Sequence, residues 1–230
     1  QILAPVPSGV SCASPTTTPG CRTLQFSYAT TTTASGSALG DYAGQLKAVS
    51  FTSYDPATSE MTTVAVADYA YDVSGHLRQE WDPRISPSLV TSYSYDANGR
   101  LSTLTPPGLA GWSFGYSTSS TTNGWLSSVS HPDTSGATAT STGVYGRPVD
   151  ATGPVDLSKA SVAAWGETSS WPVTAAAVFT PDHVPSSSPS ASDWPYAQIT
   201  YMDVNGRPVN TAAYGNGGWL YDAEQYDGFG

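Results

Sequence analysis

Apolar and polar positions alternate along most of this chain in runs too short for a helix, and the runs are separated by glycine, proline and aspartate. Residues 24–28 place Leu24, Phe26 and Tyr28 at every second position, the spacing that puts side chains on one face of a strand. The same period predicts strands over 46–54, which contains Val49 and Phe51, and over 61–71. Leu77, Gln79 and Trp81 share a face, 101–104 continues the pattern, and Trp112, Phe114 and Tyr116 repeat it. Residues 171–179 predict a further strand and 181–195 a long polar loop. One segment reads differently: 158–165 predicts a short helix, with Asp156 or Ser158 to cap its start and Gly166 its end. So short a helix holds only when packed.

The breaks between strands repeat as well. Tyr95-Asp96-Ala97-Asn98-Gly99-Arg100-Leu101 follows a near copy, Tyr71-Asp72-Val73-Ser74-Gly75-His76-Leu77. An Asp followed three positions later by Gly is the composition of a type I turn: the carboxylate accepts from nearby backbone N–H groups, and Gly takes the positive φ that closes a hairpin with a bulge. Tyr201-Met202-Asp203-Val204-Asn205-Gly206-Arg207-Pro208 carries one extra residue between Tyr and Asp and has Pro in place of Leu, while Tyr226-Asp227 opens a further copy. Weaker versions lie at 41–46 and at 123–126, where Trp125 replaces the basic residue; Tyr145-Gly146-Arg147-Pro148 resembles a second half. Tyr71 and Tyr95 are separated by an interval in the range of about 20–50 residues that marks repeat architectures.

Composition supports an all-β reading. Only 11 % of the 230 residues are charged, while Gly (22), Pro (18), Tyr (14) and Trp (7) are plentiful, a mixture suited to short strands and tight turns and poor in the long runs of helix formers a bundle needs. The hydrophobic fraction of 39 % is low, as expected of loose segments or of strands that bury tyrosine where other folds bury leucine. The net charge of −10 has eight basic residues scattered through it, with no patch to neutralise a phosphate backbone, so a nucleic-acid partner is not expected. No apolar run is long enough for a membrane-spanning helix. Low lysine with abundant Thr, Ser and Gly points to a secreted or cell-surface protein, and the chain start fits an excised fragment or a processed product.

The chain divides on this pattern into a Pro/Thr-rich lead-in and first strand (1–40), a repeat region (41–150), an irregular insertion with the helix, a strand and a loop (151–195), and a second repeat region (196–230). Cys12 and Cys21 are the two cysteines. An oxidised pair would staple the lead-in to the first strand, a loop of about ten residues worth roughly 2–3 kcal/mol by chain entropy; two free buried thiols are the alternative, and a metal site lacks further ligands nearby.

Catalytic patterns are absent from the sequence. His76 stands where the next copy has Arg, His131 precedes a proline, and His183 lies in the polar loop; their spacings match no metal-ligand motif. Aspartates recur with the turns, which capping explains without a paired acid of the glycosidase kind. There is no GxGxxG or phosphate loop, and the one GxSxG string, Gly111-Trp112-Ser113-Phe114-Gly115, falls on the strand predicted through Trp112, Phe114 and Tyr116 and not on a strand-to-helix nucleophile elbow. No cofactor and no enzymatic activity are expected. Trp112, Trp125, Trp171, Trp194 and Trp219 either pack the strands or stack on sugar rings in a carbohydrate- or cell-surface-binding module. A secreted hydrolase with an unrecognised carboxylate pair is the third reading.

The Tyr-Asp-x-x-Gly-Arg-Leu pattern resembles the tyrosine-aspartate (YD) repeat of the Rhs family, which includes bacterial polymorphic toxins, the C components of insecticidal toxin complexes and the teneurins. Tyr95, Asp96, Gly99, Arg100 and Leu101 match in full; Tyr71, Asp72, Gly75 and Leu77 match with His for Arg; Tyr201, Asp203, Gly206 and Arg207 match with the insertion; Tyr226 and Asp227 match the first half. The section around Val162 to Gly166 and the copy at Tyr201 also resemble stretches of large secreted actinobacterial Rhs-like proteins. The resemblance implies antiparallel β-hairpin repeats spiralling into a shell that encloses or presents a C-terminal toxin or effector. Its partners would then be adjacent repeats of a parent chain and an enclosed toxin, or a glycan at a cell surface. The family's self-cleaving signature has no counterpart at Asp55-Pro56 or Asp82-Pro83, so no protease role is carried over.

Overall fold

The computed structural model describes residues 1–186 and 188–227. Within them the chain forms fourteen strands, one short α-helix and one turn of 3₁₀ helix, and it divides into two compact units, Gln1–Gly111 and Trp112–Gly230. The all-β class with a single short helix agrees with the alternation.

The first unit holds β1 (Ile2–Leu3), β2 (Thr23–Tyr28), β3 (Leu46–Asp55), β4 (Glu60–Tyr71), β5 (Leu77–Trp81), β6 (Val90–Tyr95) and β7 (Leu101–Thr105). Each pairs antiparallel with its chain neighbour. Register puts Leu24 opposite Phe51 and Phe26 opposite Val49, so apolar pairs share one face. The other face is partly buried as well, and cross-strand hydroxyls fill it: Gln25 Nε2 donates to Thr52 Oγ1 at 2.8 Å, and the hydroxyls of Thr52 and Thr63 lie 2.8 Å apart. Thr23 and Thr52 are buried. Such pairs stabilise a sheet without adding apolar residues, which accounts for part of the low hydrophobic fraction. The lead-in is less free than its composition predicts, because Ile2 and Leu3 pair with Leu24 and Thr23.

The second unit holds β8 (Trp112–Tyr116), β9 (Leu126–Pro132), β10 (Thr138–Arg147), α1 (Lys159–Ala163), β11 (Thr174–Phe179), the 3₁₀ turn Trp194–Tyr196, β12 (Ala197–Met202), β13 (Pro208–Gly215) and β14 (Gly218–Ala223). Here a closed core forms. Val162 of α1 and the preceding Leu157 pack on Ala175, Ala177, Phe179, Ile199, Tyr201 and Ala212. The insertion between β10 and β11 thus covers one face of β11–β13. The helix is shorter than 158–165. Asp156 Oδ1 accepts the Ser158 N–H at 3.0 Å, and Ser158 occupies the N-cap position with its hydroxyl 3.3 Å from that of Ser161 and no capping bond to a helix N–H. Gly166, at φ +93°, closes the other end, where its N–H reaches the Ala163 carbonyl and the Glu167 N–H reaches that of Val162, the paired bonds of a Schellman motif. Glu167 is buried and accepts from Asn210 Nδ2 at 2.6 Å, tying insertion to sheet. Strand β11 starts three residues later than the alternation predicts, since Pro172 has no N–H to give a ladder.

Candidate functional site

The turns are the most uniform chemistry in the chain. At Asp72, Asp96 and Asp203, Oδ1 accepts the N–H two residues on, from Ser74, Asn98 and Asn205 at 2.9, 2.8 and 2.8 Å. It also accepts the N–H four residues on, from His76, Arg100 and Arg207 at 3.1, 2.9 and 3.0 Å. The backbone closes identically in each: the Asp N–H donates to the carbonyl four residues later, and the Gly N–H returns to the Asp carbonyl. Gly75, Gly99 and Gly206 take φ of +81°, +74° and +76°, a region costly for residues with a Cβ.

Charge reinforces these turns. Arg100 Nε donates to Asp96 Oδ2 at 2.8 Å and Arg207 Nε to Asp203 Oδ2 at 3.0 Å. Arg100's backbone N–H and then its guanidinium hold the Asp96 carboxyl below its usual range. Partial desolvation pushes Asp72 and Asp203 upward, but N–H donors, led by those of His76 and Arg207, outweigh it and leave both lowered.

Two elongated loops use the same closure. The Ala29 N–H donates to the Gln45 carbonyl and the Gly44 N–H to that of Ala29; likewise the Ser117 N–H reaches the Trp125 carbonyl and the Gly124 N–H that of Ser117. Tyr28 and Leu46 then pair across the ladder, as do Tyr116 and Leu126, in the manner of Tyr71 with Leu77 and Tyr95 with Leu101. The weak copy at 123–126 therefore has its tyrosine at Tyr116, ahead of an inserted loop. In the copy at 41–46 the Asp position belongs to Ala29, while Asp41 accepts from Lys47 Nζ at 2.7 Å inside the loop. Two further Asp-x-x-Gly turns lie outside the predicted copies. Asp133 Oδ1 accepts from Ser135 and Ala137, and Gly136 sits at φ +85°; Asp150 Oδ1 accepts the Thr152 N–H at 3.0 Å, and the Gly153 N–H returns to the Asp150 carbonyl. Both carry the Asp-x-x-Gly signal, but Pro132 and Val149 stand in place of the tyrosine.

Successive turns are joined by a clasp. The Tyr95 hydroxyl donates to the Leu77 carbonyl at 2.9 Å, Tyr71 to Leu46 at 2.7 Å, Tyr145 to Leu126 at 2.6 Å and Tyr226 to Pro208 at 2.7 Å. Each acceptor is the residue that ends the preceding turn and opens the next strand. In three of these four clasps the residue just before the acceptor packs on the tyrosine ring: His76 on Tyr95 at 4.6 Å, Trp125 on Tyr145 at 5.1 Å, and the Arg207 guanidinium over Tyr226 at 4.3 Å. Stacking, edge-on packing and cation–π contact serve in turn at one position. Tyr201 departs from the rule and donates to Val155 of the insertion at 3.0 Å. Burial pushes the Tyr71 and Tyr95 hydroxyls up, so they remain protonated donors at neutral pH. Asp227 is described, but the rest of its predicted turn, 228–230, lies outside the described residues.

Cys12 and Cys21 form a disulfide with Cα atoms 5.8 Å apart. The remaining histidines have structural contacts. His131 packs on Trp112 at 4.5 Å. His183 lies 2.7 Å from Asp193 and stacks on Tyr196 at 4.0 Å, and the Ser190 hydroxyl also donates to Asp193. This Ser–Asp–His order places the carboxylate in the middle, so the imidazole has no contact with that hydroxyl to activate it as a nucleophile. Among the described residues no group of three or more His, Cys, Asp or Glu is arranged to hold a metal ion. No described helix is long and apolar enough to cross a membrane.

The tryptophans divide. Trp194 is buried at 6 % exposure, Trp171 and Trp219 are half-buried, and Trp112 and Trp125 are exposed at 42 % and 53 %. Trp112 and Trp125 pack on His131 and Tyr145 at interplanar angles of 35° and 82°, and Trp165, exposed at 49 %, lies against Tyr221 at 5.2 Å.

Residues 71–108 match the family model of the RHS repeat. The matched stretch contains the two clear copies, from Tyr71 through Leu77 and from Tyr95 through Leu101, together with the break at Pro106. No curated protein matches the chain.

Proposed function

We propose that this chain is a non-catalytic wall segment of a large secreted or surface Rhs-like protein, in which its hairpins form part of a β shell that encloses or presents a C-terminal toxin or effector. The tyrosine clasp carries this reading. The aspartate closes its own turn, while the clasp tyrosine reaches back to the turn before it and packs on the residue in that turn's basic position at Tyr95, Tyr145 and Tyr226, which is what a wall assembled from consecutive rungs requires. The matched RHS-repeat stretch and the absence of a metal-binding cluster among the described residues support the same view. Within it, 41–150 and 196–230 are wall, 1–40 is a stapled lead-in, and 151–195 is an insertion whose helix lies over the sheet and whose strand β11 joins it. The disulfide and the lysine-poor, hydroxyl-rich composition support an oxidising, extracellular setting. Imaging the parent protein by electron cryomicroscopy tests the reading: these hairpins are expected as consecutive rungs of a hollow wall, and finding them as a separate appendage would overturn it.

The exposed Trp112 and Trp125 favour a second reading, a glycan- or cell-surface-binding module. Replacing both by Ala would abolish binding to a glycan array in that case. An unchanged array profile would leave the wall reading alone.

A further inference from the structure

We propose that the second unit contains a binding site for an acidic saccharide, built around Arg147. Its cavity borders the clasp tyrosine Tyr145, and nothing in the wall reading requires it. Its volume is about 540 Å³, within the range of about 300–1,000 Å³ typical of small-molecule sites. Its lining combines Tyr116, Tyr145, the glycines Gly143 and Gly146, Ser and Thr side chains such as Ser128 and Thr142, and Arg147, with no carboxylate among the described residues.

The repeat pattern explains why Arg147 is unusual. In Asp96-x-x-Gly99-Arg100 and Asp203-x-x-Gly206-Arg207 the turn aspartate clamps the arginine. In Tyr145-Gly146-Arg147 glycine follows the tyrosine where aspartate follows Tyr95, and the arginine ends strand β10 instead of lying in a turn closed by a carboxylate. Among the described residues Arg147 has no ion pair, and its Nε–H is buried without an acceptor. Its guanidinium lies 5.6 Å from the ring of the buried Trp194, which limits its freedom to seek a partner elsewhere. A buried donor left unpaired is costly, and a guanidinium fork matches a carboxylate in two parallel bonds.

The rest of the lining identifies what accompanies the carboxylate. Hydroxyl-bearing side chains exchange hydrogen bonds with a polyol, and the two tyrosines add aromatic surface. A cavity for an apolar ligand would be lined mainly by aliphatic side chains. The combination fits a uronic-acid residue of a glycan, its carboxylate on Arg147 and its hydroxyls on the Ser and Thr groups.

Digalacturonate is the probe, titrated into the 230-residue chain by calorimetry and by following the arginine Nε–Hε resonances. The expected result is saturable binding that shifts the Arg147 resonance. Binding should be lost with the methyl-esterified disaccharide, and weakened about tenfold or more in Arg147→Gln. Arg147→Lys, which keeps the charge but loses the fork, should fall between. Thermal melting of each variant separates lost binding from lost folding, and the resonance shift in the unmodified chain stands independently of either variant. Absence of binding, equal binding of the methyl ester, tighter binding of a capped diglutamate peptide, or an unmoved Arg147 resonance would each overturn the proposal.

Discussion

At the scale of single residues, the tyrosine hydroxyl is the most economical probe of the clasp. Tyr95→Phe removes one donor, leaves the ring on His76, and strips the Leu77 carbonyl of that partner. A loss of about 1 kcal/mol is expected in denaturant unfolding, with the slope of the transition unchanged. Tyr71 is 6 % exposed, so the acceptor it serves has less access to water, and Tyr71→Phe should cost more than Tyr95→Phe. The aspartates give a pH signature of definite sign. The carboxyls of Asp72, Asp96 and Asp203 all lie below their ordinary value, which is about 3.9 in an unstructured chain. The folded state therefore binds these protons less readily than the unfolded state. Their stabilisation is fully present above that ordinary value and is lost as pH falls through the lower folded values. Denaturant midpoints measured from pH 6 downward should drop more steeply for the parent chain than for Asp96→Asn, which has no carboxylate to protonate; parallel curves would mean that the turn carboxylate contributes nothing.

At the scale of the element, each turn depends on its glycine for backbone conformation, and some also depend on it for space. Gly99 and Gly136 both have positive φ, at +74° and +85°. A Cβ on Gly99 would stand 3.2 Å from His76 Nε2 of the preceding turn, whereas one on Gly136 would meet nothing within 4 Å. Both alanine variants should lose about 1–2 kcal/mol from the left-handed backbone. Gly99→Ala should lose more, because the His76 ring must leave its place against Tyr95, and comparing the two midpoints isolates that packing. The same turns show what a reader of the sequence can and cannot see. Copies with a fixed interval between Asp and Gly were visible because backbone closure and side-chain cap fall within a few residues. The copies at Tyr28 and Tyr116 were hidden, because long loops separate them from Gly44 and Gly124, and only the ladder brings the partners together. The clasp was hidden for a related reason. Its donor and acceptor are 18 residues apart in Tyr95–Leu77 and 25 in Tyr71–Leu46, and the acceptor is a backbone carbonyl, which leaves no mark on residue type. Trp125 was recognisable as standing in a basic position, but its task of packing on Tyr145 appears only when both turns are in place. Arg147 is legible as half a repeat, with Gly146 in place of the aspartate that follows Tyr95, but the cavity beside it depends on packing across strands.

At the scale of the whole molecule, stability should be distributed unevenly. The first unit pairs each strand with its neighbours in chain order and buries much of its surface only partly, as in β5, β6 and β7. The second closes a core around Phe179, Ile199 and Tyr201, each with no exposure. Amide exchange should therefore be slower across β11–β13 than across β5–β7, since local opening follows the density of buried contacts. The disulfide tests how far a disturbance travels along the first unit. In a linear array each element draws support from its immediate neighbours, so damage decays along the chain. Replacing Cys12 and Cys21 together by Ser releases a loop worth roughly 2–3 kcal/mol and weakens the pairing of Ile2 and Leu3 with β2. Exchange measured peptide by peptide should accelerate over residues 1–22 and along β2, diminish at β3, and leave β5–β7 at their former rates. Acceleration of the whole unit to one common rate would show instead that the lead-in and the repeats unfold as a single cooperative block, and the picture of hairpins held one to the next by tyrosine clasps would have to give way to one in which the staple governs them all.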